Sequence, residues 1–231
     1  MSNRIVIVLV LCMASIKLSA QTGYPTENAN NIYWQSGAQI DFSDYQSPTS
    51  ESCIKYNEQY GLTMSSSIGF RGIVDVPKRK GKYDKFYLAP VFCRNCSCIL
   101  SEDSLCLSVD RLLFDITEVC VRGARKELLE LRETMNSDNT YTMFFTTVKN
   151  TWEEKMWSFF GTIIREVLIE KKEGAYVEWR QTVDEILQQT ELYATQAEDC
   201  YRFVLGKPIE KNYEMAKTIA GDLRNKNEKE E

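Results

Sequence analysis

Apolar residues change their period partway along the chain. From Ile32 to Phe92 they come in short runs, Ile32-Tyr33-Trp34, Ser67 to Val76 and Tyr83 to Phe92, with Gly and Pro between them. Such runs predict strands. Between Ser66 and Val76, the residues Ile68, Phe70, Gly72, Val74 and Val76 alternate and fall on one face. Gly81, among Lys78, Arg79, Lys80 and Lys82, reads as a solvated hairpin loop. After Cys98 the spacing lengthens to three and four. Leu105, Val109, Leu112, Leu113, Ile116, Val119, Cys120 and Gly123 mark one face of a helix from Leu105 to about Met135. Ser101-Glu102-Asp103-Ser104 supplies its capping groups. A second helix is expected from Trp152 to about Lys172. A third is expected from Tyr176 to Leu205, stopped by Gly206 and Pro208, and a shorter fourth from Ile209 to Leu223. Strands first and helices afterwards predict an α+β fold with three or four helices.

The chain ends change this picture. Arg4, the apolar run Ile5 to Met13, and the small residues Ser19 and Ala20 have the layout of a secretory signal peptide over residues 1–20. The polar, Asn- and Thr-rich stretch 21–31 is expected as a flexible mature N-terminus, residues 32–223 as a single domain, and 224–231 as a charged tail. With 231 residues the chain supports one core. No later segment has the length and apolarity of a membrane helix, so no integral membrane segment is expected after cleavage.

Charge and residue inventory then exclude several kinds of chemistry. The net charge is −5, and it falls to −7 when Arg4 and Lys17 leave with the leader. That balance argues against nucleic acid as the partner. The chain contains no histidine, which removes Ser-His-Asp and Cys-His catalysis and any histidine-ligated zinc. Gly69-Phe70-Arg71-Gly72 is too sparse for a phosphate-binding loop.

Without Cys12 seven cysteines remain. An exported chain favours disulfides, and an odd count leaves at least one thiol over. Cys93, Cys96, Cys98 and Cys106 form the densest group. They read as staples of a strand-to-helix loop, with a thiolate zinc site as the alternative. Asp115 and Glu118, three apart on one helix, have the spacing to hold a hard cation or to make ion pairs. Glu118 is placed to pair with Arg122 and, at longer reach, Arg125. In the run Trp152, Trp157, Phe159 and Phe160, Trp157 falls off the main apolar face and is a candidate binding residue.

The helix segment Leu107 to Arg122 resembles a helix of the bacterial domain-of-unknown-function family 922, expected to be secreted zinc-dependent peptidases, whose pattern is HEQxHFDIxExxxR. Phe114, Asp115, Ile116, Glu118 and Arg122 match in register. Ile40 to Tyr45 resembles the family's opening segment, Val91-Phe92 its VF strand, and Glu178-Trp179 its Q-x-x-W helix. The likeness spans roughly residues 32–190 and implies a zincin-like scaffold. In HExxH, two imidazoles one helical turn apart hold a metal and the Glu polarises its water. Here the two histidine positions are Val109 and Leu113, and Asp110 takes the general-base position. The resemblance therefore implies a degenerate peptidase with neither zinc ligands nor a catalytic residue. It is expected to be exported to the periplasm or secreted by a bacterium, to need no cofactor, and to bind a protein or peptide. Two alternatives stand beside it: a hydrolase with a remodelled, non-histidine metal site, and a disulfide-stapled structural protein. Sequence does not set the oligomeric state.

Overall fold

The structure, a computed structural model, describes residues 23–217, 219 and 220. The expected leader at 1–20 and tail at 224–231 lie outside the described residues. In chain order the elements are β1 (Asn31–Tyr33), α1 (Glu51–Tyr60), β2 (Met64–Ser65), β3 (Ile68–Pro77), β4 (Lys85–Cys93) and β5 (Cys98–Ile99). Then come α2 (Ser104–Met135), α3 (Thr140–Ile163), α4 (Ala175–Gln189), α5 (Ala197–Leu205) and β6 (Tyr213–Met215). The fold is α+β, with antiparallel sheets built largely from the N-terminal region and helices following. Among the described residues no helix is long and apolar enough to cross a membrane.

The main sheet runs β1-β4-β3-β6, with every neighbouring pair antiparallel. The expected alternation holds in β3, where Ile68, Phe70 and Val74 are buried and Arg71 is exposed. β4 is buried from Tyr87 to Phe92 because both its faces are covered. Leu88 and Phe92 join the main core beneath α2. Ala89 and Val91 face a smaller cluster with Tyr33 and Cys200 of α5. Where α5 meets β3, Arg202 donates to both oxygens of Asp75 at 2.7 and 2.8 Å, and each residue is only 1% exposed.

The long helix forms where the apolar period and the cap agree. Asp103 accepts from the backbone N–H groups of Leu105 and Cys106 at 2.8 and 3.1 Å, and Asn136 ends the helix in the left-handed region. At Gly123 a Cβ would lie 2.2 Å from the Trp152 ring, so glycine lets that indole lie directly on α2.

The remaining elements differ from the expected ones, and each difference has a physical cause. The second helix starts at Thr140, well before Trp152, because Tyr141, Phe145 and Val148 extend its buried face upstream. It does not run on to Lys172 as an α-helix. Ile164–Ile169 is a π-helical stretch. The expected third helix is broken into α4 and α5 because the residues between them are drawn to α2. The Thr195 N–H donates to Glu118, and the Tyr193 carbonyl accepts from Arg125. The expected fourth helix is replaced by β6, which pairs with Asp75 to Pro77 while the Tyr213 hydroxyl donates to the Tyr83 carbonyl. Helix α1 was not expected; Ser50 caps its start and Gly61 its end. The lead-in expected to be flexible is tied down from Tyr24 on. Tyr24 stacks on Tyr201, and Arg94 donates to the Asn28 carbonyl.

Candidate functional site

Helix α2 carries the sequence-derived residues, and its faces give them different surroundings. Val109 is fully buried in the core, Leu113 nearly so. Asp110 and Leu113 turn toward a cleft between α2, the β2–β3 segment and the end of α3, enclosing about 270 Å³. Met64, Ser66 and Ile68 form one wall. Trp157, Phe160 and Gly161 form the other, continued by Ile164 and Leu168 of the π-helical stretch. Such stretches are rare and are frequently found at functional sites. Trp157 is 58% exposed and meets Phe160 edge-on, with ring centroids 5.3 Å apart. A Cβ built on Gly161 meets no atom within 4 Å, so this position opens on free space.

The polar group of the cleft is the Asp110 carboxyl. The Ser66 hydroxyl donates to its Oδ1 at 2.7 Å and the Tyr45 hydroxyl to its Oδ2. Burial pushes Asp110 up to about 6, against the pull of those two hydrogen bonds. Tyr45 is raised as well, by its own burial and then by the carboxylate beside it.

The sign of the pH effect follows. An acid whose folded value lies above its unfolded one contributes stability at low pH, and this is lost as pH rises from about 4 to about 6. Asp110→Asn is therefore expected to flatten that fall and to be the more stable form at pH 8, by up to about 3 kcal/mol. Urea denaturation of both forms at pH 4 and pH 8 measures it. A wild-type stability that does not fall over this range would contradict the buried acid.

The matched residues of the motif hold α2 in place. Phe114 and Ile116 are core. Asp115 accepts from the Trp34 indole at 2.7 Å and from Arg180 at 2.6 Å. Glu118 accepts from Arg122 at 2.7 Å and from the Thr195 N–H and hydroxyl at 2.9 and 2.6 Å. Burial raises Glu118 against those bonds. Arg122 donates onward to the Leu187 carbonyl and lies over the Trp34 ring at 5.3 Å. The pair with Arg122 thus forms as spaced. The longer pair with Arg125 does not, because Arg125 reaches Asp199 at 2.9 Å and the Leu88 carbonyl. Asp115 and Glu118 point their oxygens at arginines and backbone instead of converging on a cation.

The cysteine cluster is divided between two disulfides, Cys53–Cys98 and Cys93–Cys96. A quartet of Cys93, Cys96, Cys98 and Cys106 thiolates is therefore not assembled. Cys106 remains a buried free thiol, as do Cys120 and Cys200. Burial raises all three, Cys120 to about 12, which favours their neutral thiol form. Among the described residues no group of three or more Cys, Asp or Glu is placed to hold a metal. The Cys53–Cys98 bridge joins α1 to β5, which pairs with β2 at the rim of the cleft.

Four of the residues singled out in the sequence, Cys106, Asp110, Leu113 and Trp157, therefore line one cavity. Sequence reasoning missed Tyr45 and Ser66, the partners of Asp110. Their positions, 65 and 44 residues upstream, show no spacing that would link them to it. Of the other aromatics, Phe160 lines the cleft, Trp152 lies on Gly123 with its indole donating to Glu127, and Phe159 meets Trp179 edge-on. No family model, curated protein or solved structure matches this chain.

Proposed function

We infer that the protein is an exported, non-catalytic relative of zinc-dependent peptidases that binds a protein or peptide in the bacterial cell envelope. The observation that carries the reading is the cleft over Asp110 and Leu113. It lies on the helix that resembles the metal-binding helix of the family 922 peptidases, where Leu113, at the second histidine position, lines it and Val109, at the first, is buried in the core. The two histidine positions are apolar, and the acid between them is held by Tyr45 and Ser66, with the Cys106 thiol on the same wall. What remains there is a recess of mainly apolar walls with Ser65, Ser66 and Cys106 among them, one carboxyl and an exposed indole, the composition of a side-chain pocket. A zincin-like scaffold with its catalytic centre filled in accounts for all three features.

The reading concerns a partner that inserts a side chain, so peptides are the natural probe. Peptides selected from a random library against the protein are expected to lose about tenfold or more in affinity on Trp157→Ala, about the loss of one anchoring contact. Titration calorimetry gives the ratio. Equal affinities for wild type and variant would remove the cleft from the account, and chelator-sensitive cleavage of the peptides would overturn its non-catalytic part.

A further inference from the structure

A second cavity lies away from the Asp110 cleft, on the side of the molecule where the β3–β4 loop meets the start of α5. It is an open depression of about 630 Å³, inside the range of about 300–1,000 Å³ found for small-molecule sites. Four further features define what it fits.

The first is aromatic. Tyr83, Phe86, Tyr87, Tyr141 and Tyr213 all contribute to its lining. Tyr83 is 50% exposed, and the Arg132 guanidinium lies 3.7 Å from its ring centroid. The ring is thus braced on one face while half of its surface remains open. The second is charge. The lining holds Lys82, Lys85 and Arg132 against Asp84, Glu198 and Asp199, so the two signs balance. The third is pairing. Arg132 is bonded to Asp84 at 3.3 Å, Lys85 to Glu210, and Asp199 to Arg125 at 2.9 Å. Asp84 also accepts from the Thr142 N–H at 2.7 Å. The fourth is spare capacity. A guanidinium has five donors, so Arg132, bonded to one carboxylate, keeps donors for a ligand, and the exposed Glu198, outside these pairs, keeps its acceptors, whereas Asp84 is buried with its oxygens taken by Arg132 and Thr142.

A cavity whose charges balance, four of the six already paired, gives little net attraction to an ion, because an added charge of either sign meets an opposing one. It suits a neutral ligand whose groups both donate and accept, since a hydroxyl bridges a paired cation and anion without disturbing either. An open, braced tyrosine ring suits a ligand with a flat patch of C–H bonds, which the negative ring face attracts. Hydroxyl-rich edges and C–H faces together describe a pyranose. We propose that this cavity is a binding site for a neutral saccharide that stacks on Tyr83 and bonds to Arg132 and Glu198. It is independent of the Asp110 cleft and of any peptide bound there.

Tyr83 lies just before β4 and Glu198 on an exposed face of α5, so both tolerate substitution better than the buried groups behind them. The experiment uses the folded protein on an array of immobilised oligosaccharides. Neutral gluco-, galacto-, manno- and N-acetylglucosamine oligomers are set beside sialylated and sulfated ones, and any hits are titrated in solution. At least one neutral oligomer is expected to bind in the micromolar to low millimolar range. Tyr83→Ala and Glu198→Ala are each expected to weaken it about tenfold, with the far-ultraviolet spectrum and melting temperature unchanged. Gly161→Phe, in the other cleft, is expected to leave it unaltered. The proposal is overturned if no neutral oligomer binds, if only charged ones do, or if binding survives both cavity substitutions. Should either variant lose its fold, saccharide protection of the wild-type Lys82 amine from acylation decides instead. Protection supports the site, and unchanged labelling overturns it.

Discussion

Arg202→Met is expected to lower the folding stability by about 3–5 kcal/mol, the range for removing one partner of a buried ion pair. The cost arises from what is left behind. Asp75 and Arg202 are each 1% exposed, and the guanidinium fork satisfies both carboxylate oxygens at 2.7 and 2.8 Å. With methionine in its place, Asp75 either stays ionised in a dry site or takes up a proton. Either state costs free energy that the native pair does not. The pair joins α5 to β3, and β6 pairs with β3 from the same Asp75 onward. The loss is therefore expected to loosen the C-terminal strand first, visible as faster amide exchange at Tyr213 to Met215. Replacing both partners, Asp75→Leu with Arg202→Met, is expected to cost less than Arg202→Met alone, because no buried charge remains. Urea denaturation of the two variants measures the difference. A double variant less stable than the single one would mean that the pair's attraction, and not its desolvation, dominates.

Glu118→Ala is expected to be comparably severe, again about 3–5 kcal/mol. Glu118 is fully buried and accepts three hydrogen bonds from the segment after α4 and from α2 itself. Alanine leaves the Arg122 charge, the Thr195 N–H and the Thr195 hydroxyl without their acceptor. Glu118→Gln keeps the shape and one acceptor oxygen, and since burial already pushes Glu118 toward its neutral form, it is expected to cost clearly less. The ordering alanine worse than glutamine, read from thermal or urea midpoints, separates lost hydrogen bonds from lost charge. Equal losses would place the whole effect in the ion pair with Arg122.

These residues also show why part of the fold was legible in the sequence and part was not. Helix α2 could be read because its apolar spacing runs unbroken and a capping aspartate stands at its start. In β3 alternation was enough, since its apolar residues gather on the face beneath α2, and the opposite face, where Asp75 meets Arg202, is polar. Helix α1, with the sequence ESCIKYNEQY, has few apolar residues, and a disulfide at Cys53 anchors it, so its apolar pattern was too thin to register. The first half of α3 is rich in threonine and aromatic residues, whose low helix propensity hid a face that packing nonetheless buries. The break between α4 and α5 is imposed from 77 residues away by Glu118. β6 becomes a strand because β3 offers it an edge. Both are tertiary effects that no local period contains.

For the candidate site, each residue was visible singly and their meeting was not. Asp110 and Leu113 were read from the helix register, and Trp157 from its place off the apolar face. The cleft exists only because α3 crosses α2 and ends in a π-helical stretch beside β2. The polar half of α2's role was foreshadowed by the Glu118–Arg122 spacing. Arg125, however, was drawn away by Asp199, and Asp115 was taken by Trp34 and Arg180.

If the recess over Asp110 receives a side chain of a partner, filling the recess weakens binding. The most direct test is to titrate the library-selected peptides into Gly161→Phe. A Cβ at Gly161 meets open space, so the new side chain starts from the cleft wall without a clash at its Cβ, and replacing a glycine inside a helix removes that glycine's propensity cost. The expected result is an affinity reduced about tenfold or more with an unchanged melting temperature. Undiminished binding to a folded Gly161→Phe protein would contradict the claim and place the partner elsewhere on the molecule.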